Sequence, residues 1–352
     1  VNGTFLITLS PGPDENANAA GDFDLLSSMT IQGNGAANTI VDAGSTDRVF
    51  DISPLGGVNL TVVFSGLTIR NGKASPSNAN VGGGIFINTN ATVTIDSSTL
   101  ANNVSQASSA GAIENRGALT LNSAALQNNT AFGLGGAVNN IGSLTVNNST
   151  FSGNKAESGG ALYMNTSSTR TATITGSSFT GNQAVATAGG VDDSGGAIAA
   201  VTDGLVTISG STFTGNSAAT TGGALYFKDS ATEAAVAALA LSYSRIVGNT
   251  ASAGSGLYRA SGTATAQKNW WGCNAGPSAA PCDLVTGAAN FTPWIVLTHT
   301  ASPATINTSQ SAMLTAGFLT NSDGSPNTAG SLGALRGVPV AFGSAVLGTI
   351  SG

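Results

Sequence analysis

The chain has 352 residues, 41% of them hydrophobic and only 8% charged, with 48 Gly, a single His and a net charge of −6. A pI near 4.5 with no basic stripe argues against a nucleic-acid partner, because nothing would neutralise phosphates. No apolar run reaches the length of a membrane-spanning helix, and aliphatics that recur in register argue against disorder.

In chain order, residues 1–80 carry short apolar runs at irregular spacing. They are Phe5-Leu6-Ile7-Thr8-Leu9, Met29-Thr30-Ile31, Val49-Phe50-Asp51-Ile52 and Leu60 to Ile69, with a polar loop at Asp14 to Asp24. These runs read as the first, off-period coils of a repeat. The chain starts at Val1 without Met, as a processed chain or a fragment would.

From Gly82 to about Lys268 the repeat is regular. It joins Phe-x-x-Asn to Gly-Gly-Ala-aliphatic, as in the stretch from Leu144 to Tyr163. The Asn recurs as Asn103, Asn129, Asn154, Asn182, Asn216 and Asn249, at separations of 26, 25, 28, 34 and 33 residues. Val93-Thr94-Ile95, Leu119-Thr120-Leu121, Leu144-Thr145-Val146 and Val206-Thr207-Ile208 alternate apolar and Thr, which is strand periodicity. Short strands separated by tight corners at a fixed period define one coil of a parallel β-helix. Stacked coils place Val93, Leu119, Leu144 and Val206 in an interior column, and put each Asn at a corner where its amide bonds to neighbours above and below. Two coils are longer. One inserts Gln183 to Ser194, which carries the acidic pair Asp192 and Asp193, and the other expands after Tyr226 through Lys228, Asp229 and Glu233. Such insertions leave a solenoid as surface loops.

Gln267 to Asp283 breaks the pattern with Trp270, Trp271, Cys273 and Cys282. A solenoid end exposes apolar surface and needs a cap, which the Trp pair suits; an exposed pair would instead bind sugar rings. The two cysteines, with no His or third Cys nearby, read as a disulfide rather than a metal pair, and so as a mark of an oxidising compartment. From Pro293 onward, Trp294 to Thr298, Ala312 to Leu319 and Val338 to Phe342 have the spacing of a partial immunoglobulin-like sandwich, with His299 as a surface strand residue. The expected organisation is therefore a β-helix over 1–292, capped at about 267–283, and a partial sandwich over 293–352.

Clustered carboxylates on neighbouring coils would signal a carbohydrate-active enzyme. The column after the strand triplet reads Asp96, Asn122, Asn147, Thr175, Ser209, and that after the glycine motif reads Phe86, Glu114, Asn139, Tyr163, Ala199, Tyr226, Tyr258. Neither places two acids on adjacent coils over this span, so Asp192 and Asp193 stand as a loop-borne candidate site. If its residues face outward, Phe86, Tyr163, Tyr226 and Tyr258 form an aromatic interaction stripe for a glycan or a neighbouring molecule. The plainer reading of the same column is coil-on-coil stacking.

The glycine and Asn signatures stand as GGAV (135–138), GGAL (159–162), GGAI (195–198) and GGAL (222–225), with FSGN and two copies of FTGN. In these the chain resembles the repeat of polymorphic outer-membrane protein adhesins. Residues 15–52 are similar to the opening of bacterial surface proteins of the CSLREA-domain type, which also carry an NWWG…GP segment and immunoglobulin-like domains beyond it. The CSLREA segment itself is absent. The resemblance, over residues 3–352, implies an all-β, right-handed parallel β-helix that is secreted or displayed on bacteria. The expected function is structural or adhesive and non-enzymatic, without cofactor or metal. Its partners would be other copies through the chain ends, or a glycan or cell-surface ligand. The alternative is a polysaccharide lyase, a glycoside hydrolase or a glycan-binding module.

Overall fold

The computed structural model describes residues 2–8, 21–74, 81–186, 193–232, 237–307, 309–336 and 338–340. It is a parallel β-helix followed by a small antiparallel hairpin. Each regular coil passes in turn through face I, face II, a corner sheet and face III. Face I has nine strands, from Met29–Gln32 to Thr263–Thr265, and face II nine, from Gly3–Leu6 to Arg245–Val247. The corner sheet has six two-residue strands, from Lys73–Ala74 to Ser217–Ala218, and face III has ten, from Phe23–Asp24 to Val285–Thr286. At about 4.8 Å per strand, the nine-strand faces run roughly 38 Å.

The alternation read in the triplets sets the inside and outside of face I. Val93 pairs with Leu119, Leu119 with Leu144, Leu144 with Ala172 and Ala172 with Val206, all buried in one core. The Thr residues between them form the outward column Thr94, Thr120, Thr145, Thr173 and Thr207. On face II, Phe151, Phe179 and Phe213 stack inside the core, with centroids 4.7 and 4.9 Å apart and rings within 5° of parallel. The off-period start follows the same plan: Gly3–Leu6, Met29–Gln32, Thr39–Asp42 and Phe50–Ile52 form the first coils.

The two glycines of each pair answer different demands. Gly135, Gly159, Gly195 and Gly222 hold φ between 64° and 70°, which a side chain resists. At Gly136, Gly160, Gly196 and Gly223 a Cβ would collide with a carbonyl oxygen of the next coil. Backbone atoms cannot move aside as a side chain can, so coil stacking itself imposes the second glycine.

The hairpin comprises Ile295–Ser302 and Met313–Asn321, followed by two 3-10 turns at Ala329–Ser331 and Gly333–Leu335. His299 is exposed on its first strand, as expected. The third strand expected at Val338 to Phe342 does not form over Val338 to Val340, and the remainder lies outside the described residues. What is present is a two-stranded sheet packed against the β-helix. Trp270 and Ile295 share a small core with Leu332 and Leu335, and the Trp270 ring meets Phe318 edge-on at 5.0 Å.

Candidate functional site

Two places gather side chains beyond the needs of a plain coil: the outward column of face III and the cap.

The face III column is longer than the regular repeat revealed. Parallel register aligns Asp24 with Asp51, Asp51 with Phe86, Phe86 with Glu114, Glu114 with Asn139, and then Asn139 with Tyr163. Asp24 and Asp51 are therefore acids on adjacent coils, which corrects the reading of this column as one without neighbouring acids. That reading began at Phe86, because the earlier coils carry no Asn to set their phase. Asp51 and the nearby Asp22 hold Arg48, which is fully buried and lies 3.2 Å from Asp22 and 2.5 Å from Asp51. The Arg48 and Arg116 guanidinium groups sit 5.2 and 4.9 Å from the Phe86 ring centroid. Arg116 also pairs with Glu114 at 3.2 Å, and the Asn139 amide donates to Glu114 at 2.8 Å.

Several carboxyls thus compete for one buried guanidinium. Burial pushes Asp22 up to about 7, against the attraction of Arg48 and with the repulsion of Asp51, Asp47 and Asp24. Burial likewise raises Glu114, against its Asn139 and Arg116 partners. Between the unfolded value near 3.8 and its folded value of about 7, Asp22 holds a proton that the unfolded chain has already released. Stability from this group is therefore full below the unfolded value near 3.8 and is lost as pH rises toward 7. The lost stabilisation has a ceiling of roughly 4 kcal/mol. The melting temperature should fall between pH 4 and pH 7 more steeply in the native chain than in an Asp22→Asn variant. Equal slopes in the two would show that Asp22 does not carry the effect.

The aromatic part of the column is not a solvent-facing stripe. Phe86, Tyr163 and Tyr226 are buried, at 8%, 8% and 7% exposure, and Tyr258 is half-buried. They do point away from the main core, as alternation required. Tyr163, Ala199, Tyr226 and Tyr258 of this column form a second cluster with Leu134 and Val201. Tyr226 and Tyr258 stack at 5.8 Å. The added cover comes from Leu134, just before a glycine pair, and Val201, two residues along the strand from Ala199, neither of which is a column position.

Of the acidic loop pair, Asp192 lies outside the described residues. Asp193 is half-buried, and its carbonyl accepts from the Thr220 backbone and hydroxyl at 3.1 and 2.9 Å. Among the described residues no three His, Cys, Asp or Glu side chains are grouped to hold a metal ion.

The cap ends two hydrogen-bonded ladders. In the first, each ladder Asn is at most 4% exposed, and its backbone N–H and Nδ2 both donate to Oδ1 of the next Asn at 2.8–3.1 Å. Nδ2 also donates to a carbonyl one coil back, such as Leu126 O from Asn154. The residue before each ladder Asn, for example Asn102, Asn128, Gly153 or Gly181, is left-handed to turn this corner. All these amides point the same way, so the ladder ends with donors that need an acceptor. Asp283 supplies it: Gly248 N and Asn249 N donate at 3.1 Å, and Asn249 Nδ2 at 2.5 Å. The second ladder runs through Ser149, Ser177, Ser211 and Ser244, and ends on Asn269 Oδ1 at 2.9 Å.

Sequence reasoning placed a cap here but missed both terminators. Spacing could have found them, since Asp283 follows Asn249 by 34 residues, within the late ladder's own interval, and Asn269 follows Ser244 by 25. Trp271 is fully buried in the main core, packed on Gly256, while Trp270 faces the hairpin. Cys273 and Cys282 are bonded and no free cysteine is present.

Fold and cap together define a repeat-built solenoid with ladder corners. Residues 148–165 and 210–228 match the model of the Chlamydia polymorphic membrane protein repeat, and each segment spans a ladder Asn and a glycine pair. No curated protein and no solved structure matches the chain significantly. An extracellular or cell-surface location is consistent with both the matched repeat and the disulfide. Among the described residues no helix is long and apolar enough to cross a membrane.

Proposed function

We propose that the chain is a structural or adhesive rod of a bacterial surface, which holds its partners by extended contact rather than by turnover. The observation that carries this reading is the unbroken parallel pairing of nine and ten strands, locked from Asn103 to Asp283 by the Asn ladder. Such a rod is stiff, because each coil is bonded to both neighbours. Its face I surface is hydroxyl- and amide-rich and nearly uncharged, from Thr94 to Thr207 and from Asn122 to Ser209. A polysaccharide lyase or hydrolase would need reachable acids, whereas Asp22 and Asp51 are 4% and 3% exposed around a fully buried Arg48.

Self-association is part of the proposal. Phe5, Leu6 and Phe23 are exposed on the first coil, and Met313, Leu314 and Leu319 on the hairpin at the other end. Packing one end on the other is heterologous and propagates as a filament unless it closes. Microbeads coated with the purified chain should adhere to cells or glycan surfaces, and electron microscopy should show filaments that Phe5→Asp with Leu6→Asp abolishes. Beads that adhere no better than albumin-coated ones would remove the adhesive reading. Filaments that survive both substitutions would remove the end-to-end contact.

A further inference from the structure

The loop closed by Cys273 and Cys282 lies between the two halves of the molecule and holds each by a different residue. On the solenoid side, Asp283 directly follows Cys282, and its carboxylate takes the three terminal donors of the Asn ladder. The Asp283 N–H donates to Trp271 O at 2.8 Å, so the ladder terminator is tied to the buried indole. On the hairpin side, Asn274 directly follows Cys273, and its side chain imitates a strand edge. Leu297 N donates to Asn274 Oδ1 at 2.7 Å, and Asn274 Nδ2 donates to Leu297 O at 2.8 Å. The Trp294 indole N–H donates to Asn274 O at 3.1 Å. Trp294 also lies against Gly276, where a Cβ would collide with the ring. Between Asn274 and Asp283 the loop contains Gly276, Pro277 and Pro281 and no strand. The disulfide is the covalent tie that keeps its two ends together.

We propose that this disulfide is a redox latch: oxidation fixes Asp283 under the ladder and Asn274 against Leu297, and reduction releases the last coil and the hairpin together while the central coils stay folded. The inference goes beyond the surface reading and stands or falls without it. Closing the latch removes two electrons and two protons from the cysteine pair. A disulfide oxidant accepts them by exchange: one cysteine thiolate attacks it to form a mixed disulfide and release one thiol. The second cysteine then displaces the other thiol and forms the Cys273–Cys282 bond. The step suits a chain made in a reducing compartment and used in an oxidising one. Until the bond closes, the terminal ladder donors have an acceptor held by the Asp283–Trp271 backbone bond and the Val285–Thr286 strand, with no covalent tie to the rest of the cap.

Native-state hydrogen exchange on the full chain, oxidised and after dithiothreitol, tests the latch, with thiol alkylation reporting the state of both cysteines. On reduction the Gly248, Asn249 and Leu297 amides should exchange at least about tenfold faster, those of Asn129 and Asn154 should stay within about twofold, and oxidised glutathione should restore all three. Asp283→Ala should release Gly248 and Asn249 but not Leu297, and Asn274→Ala the reverse. Unchanged protection with both cysteines alkylated would overturn the proposal. So would loosening that reaches Asn129 equally, or a disulfide that reductant opens only when the central coils unfold.

Discussion

Replacing Asn154 by Ala should lower the unfolding free energy by about 3–5 kcal/mol, although the change removes only a short polar side chain from a corner. Asn154 is fully buried. Its Oδ1 accepts from Asn129 N and Nδ2, both at 3.0 Å, while its Nδ2 donates to Leu126 O and to Asn182 Oδ1, both at 2.9 Å. Alanine leaves two donors of Asn129 without an acceptor and deprives Leu126 and Asn182 of a donor. Each orphaned buried group costs about 1–3 kcal/mol. Aspartate would not rescue the site, because it keeps the acceptor, loses the Nδ2 donors and faces Asn182 Oδ1 as a buried charge. Only Asp283, with no ladder coil beyond it, replaces Asn successfully. Asn148→Gly is the control: Asn148 is exposed at φ 49°, and Gly176 and Gly210 occupy the following coils. It should change stability by less than about 0.5 kcal/mol. Denaturant titration decides the matter, and a loss under about 1 kcal/mol for Asn154→Ala would mean that water or a shifted backbone satisfies the ladder.

The same ladder explains why so much of the fold was legible. An Asn that must meet its copy on the next coil cannot drift in phase, so the period is written into the sequence from Asn103 to Asn249. The glycine pairs are equally forced, one by φ and one by the adjacent carbonyl. Where neither device operates, the reading loses register. The coils before Gly82 have no ladder Asn, and Gly72 N donates to Asn103 Oδ1 where a preceding Asn would stand. The Asp24–Asp51 alignment and the burial of Arg48 were hidden for that reason. The buried state of Phe86 and Tyr163 was hidden for another. Alternation shows which way a side chain points, but not that Arg48, Arg116 or Leu134 will cover it. At the C-terminal end, the apolar run at Val338 matched strand composition. Yet Leu332, between the two 3-10 turns, and Leu335, on the second, already fill the core beside Trp270, with Val338 packed at its margin.

Replacing Phe179 by Ala should cost about 3–5 kcal/mol, with an effect confined to neighbouring coils. The ring is fully buried between Phe151 and Phe213, at 4.7 and 4.9 Å and nearly parallel to both. Its strand, Ser178–Thr180, pairs in register with Thr150–Ser152 on one side and Thr212–Thr214 on the other. Those backbone bonds hold the outer strands apart at two coil spacings, so the gap cannot collapse as a cavity between mobile helices can. Its two largest walls are aromatic faces that lose their partner together. Leu in place of Phe179 should recover much of the loss by filling most of the volume. The double variant Phe151→Ala with Phe179→Ala should cost less than the sum of the single changes, because the second truncation removes a contact already broken. Since each coil touches only its neighbours, hydrogen exchange should quicken around 172–184 and 205–214 and stay unchanged near Val93 and Trp271. A uniform rise along the rod would instead show that the solenoid unfolds as one cooperative unit. A cost under about 1 kcal/mol would show that the stack is dispensable and that the ladders alone hold the coils in place.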